Sequence, residues 1–174
     1  MSSIDYDLQL IRAVVFDVDG VLSPSTIPMG SDGVPRRMAN IKDGYALQLS
    51  VKRGLKLAII TGAATEAVRV RYNALGITDV YCGAAHKAPV LEQWMKEQGL
   101  APEEVAYVGD DVPDYEPMLM VGLRVAPADA AADIKQIANY ISPADGGYGV
   151  ARDLLEQILR AQGLWVLDHK AFGW

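Results

Sequence analysis

A single cysteine, Cys82, occurs in 174 residues. One thiol excludes an intramolecular disulfide and a cysteine-built zinc cluster. Long apolar runs are also missing: no window reaches 18 apolar residues, so no segment reads as a membrane span. Basic residues are in deficit, with Lys+Arg 16 against Asp+Glu 22 and a formal net charge of −6. A chain with pI near 4.8 lacks the basic surface that general nucleic-acid binding needs, and the one that docking on anionic lipid needs. The opening residues MSSIDYDLQLIRAVVF lack the basic and apolar regions of a secretory signal. The expected location is therefore a reducing, cytoplasmic compartment. Internal repeats, low-complexity segments and linkers are absent.

What remains is an ordinary globular mixture, 51% hydrophobic and 22% charged, of a length that fits one domain over 1–174. Short β-rich runs at 13–16, 55–60, 79–82, 105–108, 123–126 and 139–141 alternate with helical patterns at 44–52, 65–74, 88–98, 113–121, 130–138 and 150–161. Gly54, Gly76, Gly99 and Gly122 read as helix ends. The first, second and fourth β runs are nearly all apolar, as parallel strands covered on both faces should be. The pattern predicts an α/β fold, a doubly wound, Rossmann-like parallel sheet with helices on both faces. Ligands of such sheets bind at the carboxyl ends of the strands, where the winding reverses. Residues 21–42 interrupt the alternation. Their prolines at 24, 28 and 35 and the Ser31-Asp32-Gly33 turn predict a β-hairpin flap beside the first strand's end.

Acidic residues gather at the predicted strand ends. The first run ends Phe16-Asp17-Val18-Asp19-Gly20, and the fourth ends Val108-Gly109-Asp110-Asp111-Val112-Pro113-Asp114. Converging carboxylates raise one another's pKa unless a cation intervenes. An all-oxygen set without sulfur or clustered histidine points to a hard cation, and a sparse shell completed by water and phosphate suits Mg²⁺. Thr61-Gly62 after the second run can hold phosphate oxygens through a hydroxyl and a backbone N–H. Lys87, opening a helix after the third, is a point cation for a phosphoryl group. A cation at a helix start opposes the macrodipole and so calls for another reason to be there. A carboxylate nucleophile, a second acid, a threonine, a lysine and a metal cluster are the parts of phosphoryl transfer through an aspartyl phosphate. His86 reads as a turn residue and Cys82 as a small buried hydrophobe.

Asp17-x-Asp19-Gly20-x-Leu22, Thr61-Gly62, Lys87 and Gly109-Asp110-Asp111-x-x-Asp114 together resemble, in order, the four motifs of haloacid dehalogenase superfamily phosphatases. The resemblance implies Asp17 as nucleophile and metal ligand. It implies Asp19 as general acid/base, giving its backbone carbonyl to the metal. Thr61, Gly62 and Lys87 would hold the phosphoryl group and Asp110 would ligate the metal. Asp111 or Asp114 would support Lys87 or the metal's waters. Larger relatives carry a cap domain, and this chain has no room for one, so a neighbouring subunit is expected to cover the open site.

The narrower resemblance is to the capless, tetrameric 3-deoxy-D-manno-octulosonate 8-phosphate phosphatases of bacterial lipopolysaccharide synthesis. It is carried by the flap with Asn40-Ile41-Lys42-Asp43-Gly44, by Arg71, and by Gly146-Gly147-x-Gly149-x-x-Arg152. It implies a homotetramer in which Arg71 reaches the adjacent subunit's substrate, with Arg152 either structural or substrate-binding. Two departures bear on the sugar. Ala63 stands where relatives usually have a longer charged residue, and Ser23-Pro24-Ser25 stands where an acidic Thr-Asp-Gly is common. A nonulosonate 9-phosphate is the alternative substrate. A phosphorylation-switched receiver-like module or a non-catalytic regulator are the competing classes, and the late acid pair and intact motif set oppose them. The tail at 163–174, with two of the three tryptophans, should pack on its own sheet or on a partner.

Overall fold

The computed structural model describes residues 2–166 and 168–174; Met1 and Leu167, the latter within the expected tail, lie outside the described residues. Six parallel strands, β1 (Ala13–Phe16), β2 (Lys56–Ile60), β3 (Asp79–Tyr81), β4 (Val105–Val108), β5 (Leu123–Ala126) and β6 (Tyr140–Ile141), form one sheet in the order β3-β2-β1-β4-β5-β6. The helices are α1 (Ile41–Lys52), α2 (Glu66–Asn73), α3 (Lys87–Gln98), α4 (Tyr115–Leu119), α5 (Ala132–Ile137) and α6 (Val150–Ala161). The doubly wound fold expected from the alternation is the fold observed.

Alternate residues along each strand feed opposite cores, the period-2 consequence of a pleated backbone. Val14, Phe16, Leu57, Ile59, Ala106 and Val108 join α1, α2 and α6 on one face. Ala13, Val15, Ala58, Ile60, Val105 and Tyr107 join α3, α4 and α5 on the other. With both faces covered, β1 and β4 have no exposed position, which explains their unbroken apolar runs. β1 lies between β2 and β4, with Phe16 in register with Ile59 and with Val108. The winding reverses there, so the ends of β1 and β4 lie side by side. Among the described residues no separate group of elements stands over those ends as a cap.

Three expectations need correction. First, the flap is a hairpin of one isolated antiparallel bridge, Met29 with Pro35, closed by two bonds of 2.8 Å, from the Arg36 N–H to the Pro28 carbonyl and from the Gly30 N–H to the Val34 carbonyl. Pro28, opposite Arg36, has no N–H to return to the Arg36 carbonyl, so no ladder extends. The segment also ends earlier than expected, because Asn40 caps α1 by accepting from the Lys42 and Asp43 amides. Second, the helix expected over 113–121 is a 3₁₀ turn, Val112–Asp114, followed by a five-residue α4. Third, Gly122 is not a left-handed helix stop. A Cβ there would meet the Tyr6 hydroxyl at 2.1 Å and the Glu103 Cα at 2.9 Å, so packing explains that glycine.

The first turns of α1 and α6 interlock. Gly149, at the start of α6, has no side chain to cap it, and the Asp43 Oδ1 instead accepts from the Arg152 N–H at 2.7 Å. The Asn40 side chain donates to the Gly147 carbonyl at 3.2 Å. The described part of the tail folds onto the same two helices. Tyr45 donates to the Ala171 carbonyl, Lys52 donates to the Gly173 carbonyl at 3.2 Å, and Arg152 lies 4.7 Å over the Trp165 ring. The tail therefore packs on its own chain in this structure.

Candidate active site

β1 ends at Phe16, and the next residue, Asp17, turns its carboxylate into the sheet's reversal point, buried at 7% exposure. Its Oδ1 accepts from the Val18 N–H at 2.6 Å and its Oδ2 meets the Lys87 Nζ at 2.7 Å. Lys87 is the first residue of α3, and the same ammonium lies 2.8 Å from the Asp114 Oδ1. Two carboxylates are the reason for a buried cation at a helix start. Burial alone would lower the Lys87 ammonium; Asp17 and Asp114 together outweigh it and hold the group above its ordinary value.

Asp114 is the most fully engaged acid in the site. Its Oδ1 accepts from Lys87 and, at 2.9 Å, from the Tyr107 hydroxyl; its Oδ2 accepts from the Asp110 N–H at 3.0 Å. The 3₁₀ turn after β4 turns Asp114 inward and leaves Asp111 outside, where it accepts only from the Val112 N–H. Of the two acids between which the sequence did not choose, Asp114 is the one that supports Lys87.

Asp17, Asp110 and Asp114 each offer a carboxylate oxygen, and these oxygens lie within 4.8 Å of one another. Burial pushes Asp17 up to about 7, with Asp114 adding to the shift and Lys87 opposing it. Burial pushes Asp110 up to about 8, with Asp114, Asp17 and Asp111 adding to the shift. One lysine does not balance this charge, and a hard cation would suit the all-oxygen donor set. Two glycines make the crowding sterically feasible. A Cβ on Gly20, which has φ +80°, would fall 1.9 Å from the Asp110 Oδ2, and one on Gly109 would fall 2.4 Å from the Asp114 Cβ.

Thr61 is buried just beyond β2, and its Oγ1 accepts from the Ala63 N–H at 3.1 Å. The Thr61 carbonyl takes the Ala84 N–H at 2.9 Å, tying this turn to the end of β3. Thr61 is not the cap of α2; Thr65 holds that position. A pocket of about 430 Å³ brings together Asp17, Asp19, Thr61, Gly62, Lys87 and Asp110.

Arg71 falls outside the acid pocket, and Asp19 lines it with its carboxylate turned away from the other acids. Arg71, on α2, lines a separate cavity of about 280 Å³ against the flap's return arm, not the acid pocket. The Asp19 carboxylate turns to the flap, where both oxygens accept from Arg37, at 2.7 Å from Nε and 2.8 Å from Nη2. Its side chain is not among the three clustered carboxylates that could hold a metal ion; Asp114 is. Arg152 donates to Glu156 at 2.7 Å and stacks on Trp165, a structural placement.

Sequence reasoning did not single out Tyr107 or Arg37, and it named the buried Asp43 only within the 40–44 segment. Tyr107 left a signal, a hydroxyl in an otherwise aliphatic strand. Arg37 left none beyond its charge.

Acids from two adjacent strand ends, joined through a buried lysine beside a threonine-glycine turn, define a haloacid dehalogenase-like hydrolase site. The family model of that description matches residues 58–154. The chain is 40% identical over 153 residues to the 3-deoxy-D-manno-octulosonate 8-phosphate phosphatase of Escherichia coli K12, covering 88% of this chain and 81% of the relative. The crystal structure of a probable YrbI-family phosphatase from Pseudomonas syringae superposes with TM-score 0.89 at 37% identity, covering 95% and 94% of the two chains. A Moraxella catarrhalis 3-deoxy-D-manno-octulosonate 8-phosphate phosphatase, crystallised with magnesium, phosphate and KDO, gives TM-score 0.85 at 32% identity over 90% of each chain. The chain belongs to the haloacid dehalogenase-like hydrolases and, within them, to the family of the 3-deoxy-D-manno-octulosonate 8-phosphate phosphatases.

Proposed function

We propose that this protein is a Mg²⁺-dependent phosphatase that hydrolyses 3-deoxy-D-manno-octulosonate 8-phosphate to the free sugar acid and phosphate, within lipopolysaccharide precursor synthesis. The observation that carries the reading is the Lys87 ammonium lying between Asp17 and Asp114, with the Asp110 carboxylate beside them. An Asp17 oxygen attacks phosphorus. The bond from phosphorus to the sugar oxygen breaks, and that oxygen takes a proton from Asp19. A water then gives a proton to Asp19 and attacks the aspartyl phosphate, and phosphate leaves Asp17. Thr61, the Gly62 backbone and Lys87 hold the phosphoryl oxygens. Asp17 and Asp110, with the Asp19 backbone carbonyl, are the groups that would hold magnesium, which when bound draws charge off the phosphoryl oxygens. Asp114 and Tyr107 keep Lys87 in place.

The site is open, and the exposed Met29, Met38 and Ile41 on and beside the flap, with Val70 on α2, form apolar surface. A homotetramer whose flaps cover neighbouring sites, with Arg71 meeting the adjacent subunit's substrate, accounts for both features. No described helix is long and apolar enough to cross a membrane, in keeping with action in the cytoplasm. A nonulosonate 9-phosphate is the second reading, favoured by Ala63 and by Pro24-Ser25 at the flap's base. The test is phosphate release from the eight- and nine-carbon esters with Mg²⁺ present. Faster turnover of the eight-carbon ester, abolished by EDTA and restored by Mg²⁺, is expected. Turnover that EDTA leaves untouched would refute the metal assignment, and preference for the nine-carbon ester would transfer the substrate.

A further inference from the structure

The Asp19 carboxylate, which the proposed mechanism needs facing the leaving oxygen, is turned to the flap instead. Arg37 donates to it through two parallel bonds of 2.7 and 2.8 Å. A guanidinium fork matches one carboxylate in this way, and Arg is the residue suited to it. The Arg37 side chain is 15% exposed and the Asp19 side chain 40%, so the guanidinium is held at the flap's base while Asp19 stays open to the pocket. With each oxygen accepting from Arg37, the Asp19 carboxylate is held toward the flap and its charge is committed to the guanidinium. Arg37 also stands at a boundary. Asp19 lines the acid pocket, whereas Arg37 lines the neighbouring cavity of about 280 Å³ together with Arg71.

Building on the phosphatase reading, we propose that Arg37 is a specificity residue that exchanges partners: a carboxylate on the substrate takes the guanidinium from Asp19, and the released Asp19 takes up a proton from solvent and turns to the leaving oxygen. For a sugar acid the exchange replaces one two-pronged ion pair with another, so little is lost. A neutral sugar phosphate brings no replacement. It must either leave Asp19 tied or strip Arg37 of its partner, and a charge-assisted pair broken without compensation is costly. Discrimination is thus exerted in the chemical step and not in binding alone. The flap position of Arg37, beyond the first strand and carried by a hairpin with a single bridge, gives the side chain the freedom the exchange requires.

The experiment compares Arg37→Ala and Arg37→Lys with the wild type on 3-deoxy-D-manno-octulosonate 8-phosphate and on a neutral hexose 6-phosphate, both esters of primary alcohols. The wild type should favour the sugar acid. In Arg37→Ala the ratio of the two kcat/KM values should fall at least tenfold. Part of that fall should be a rise in kcat on the neutral ester, because Asp19 is no longer held. Arg37→Lys keeps the charge but not the fork, and should fall between the two. A gain on the neutral ester cannot come from a damaged fold. If both esters lose activity in parallel and the ratio is unchanged, the exchange is overturned. If the wild type is inert toward both esters and toward p-nitrophenyl phosphate, the phosphatase reading fails, and this inference with it.

Discussion

Replacing Lys87 with methionine keeps the length of the apolar stem and deletes the charge. The side chain is 4% exposed, and its ammonium lies 2.7 Å from Asp17 and 2.8 Å from Asp114. Removing one partner of a buried ion pair costs about 3–5 kcal/mol, because the remaining charge is left without compensation. Here two carboxylates are stranded. They can shed charge by taking up protons, which limits the loss and makes it depend on pH. Asp17 is already pushed from 3.8 to about 7 with the lysine in place, and the variant pushes it higher. A folded-state carboxyl above its unfolded value binds a proton that the unfolded chain has given up. Its stability contribution is present below about pH 4 and is lost as pH rises through the folded value, at about 1.4 kcal/mol per pH unit for each proton. The gap between wild type and Lys87→Met should therefore widen between pH 5.5 and pH 8. Urea unfolding in EDTA measures it. At pH 8 the gap should approach the full 3–5 kcal/mol, equivalent to a melting shift of about 10 °C for a chain of this size. A variant as stable as the wild type at pH 8, or a gap independent of pH, would refute the placement of Lys87 as the counter-ion of these acids.

Tyr107→Phe removes one donor from the Asp114 Oδ1; a hydrogen bond to a charged acceptor is worth about 1.5–3 kcal/mol, and a stability loss of that size with reduced kcat is expected by urea unfolding and steady-state kinetics. Gly20→Ala places a methyl against the Asp110 carboxylate and should raise the Mg²⁺ concentration needed for half-maximal activity at least tenfold, read by metal titration. Asp43 is pushed up to about 6, chiefly by burial and against the pull of the Arg152 N–H and side chain. Its raised value stabilises the fold at pH 4 and ceases to as pH passes 6, so Asp43→Asn should gain on the wild type by about 2–3 kcal/mol between pH 4 and 7. Chemical unfolding at the two pH values checks this, and a constant difference would contradict it.

The parts that could be read from the chain are those set by local pattern. β1 and β4 are apolar at every position because both faces are covered, and the acids that follow them mark the rim where the winding turns back. Lys87 could be picked out because a cation at the first position of a helix is unfavourable unless something pairs with it. The unreadable parts depend on geometry beyond the local pattern. Asp111 and Asp114 are equivalent as letters, and a 3₁₀ turn of three residues decides that Asp114 faces the lysine. The flap's strands failed to form because Pro28 withholds the donor the next ladder bond needs, while the turn residues still bend the chain as expected. The pairing of Arg37 with Asp19 spans 18 residues and depends on how the return arm lies over the first strand, which no periodicity encodes. Asp43 capping α6 from α1 is likewise a contact between distant turns, invisible until the two helices pack.

The covalent role of Asp17 is tested most directly with Asp19→Asn and p-nitrophenyl phosphate. The good leaving group makes little demand for an acid, whereas release of the enzyme-bound phosphoryl group still needs a base. A rapid burst of about one p-nitrophenolate per subunit is predicted, followed by slow turnover, with acid-quenched peptide mass analysis placing the phosphoryl group on Asp17. Absence of a burst, or a phosphoryl group on any other residue, would contradict the account.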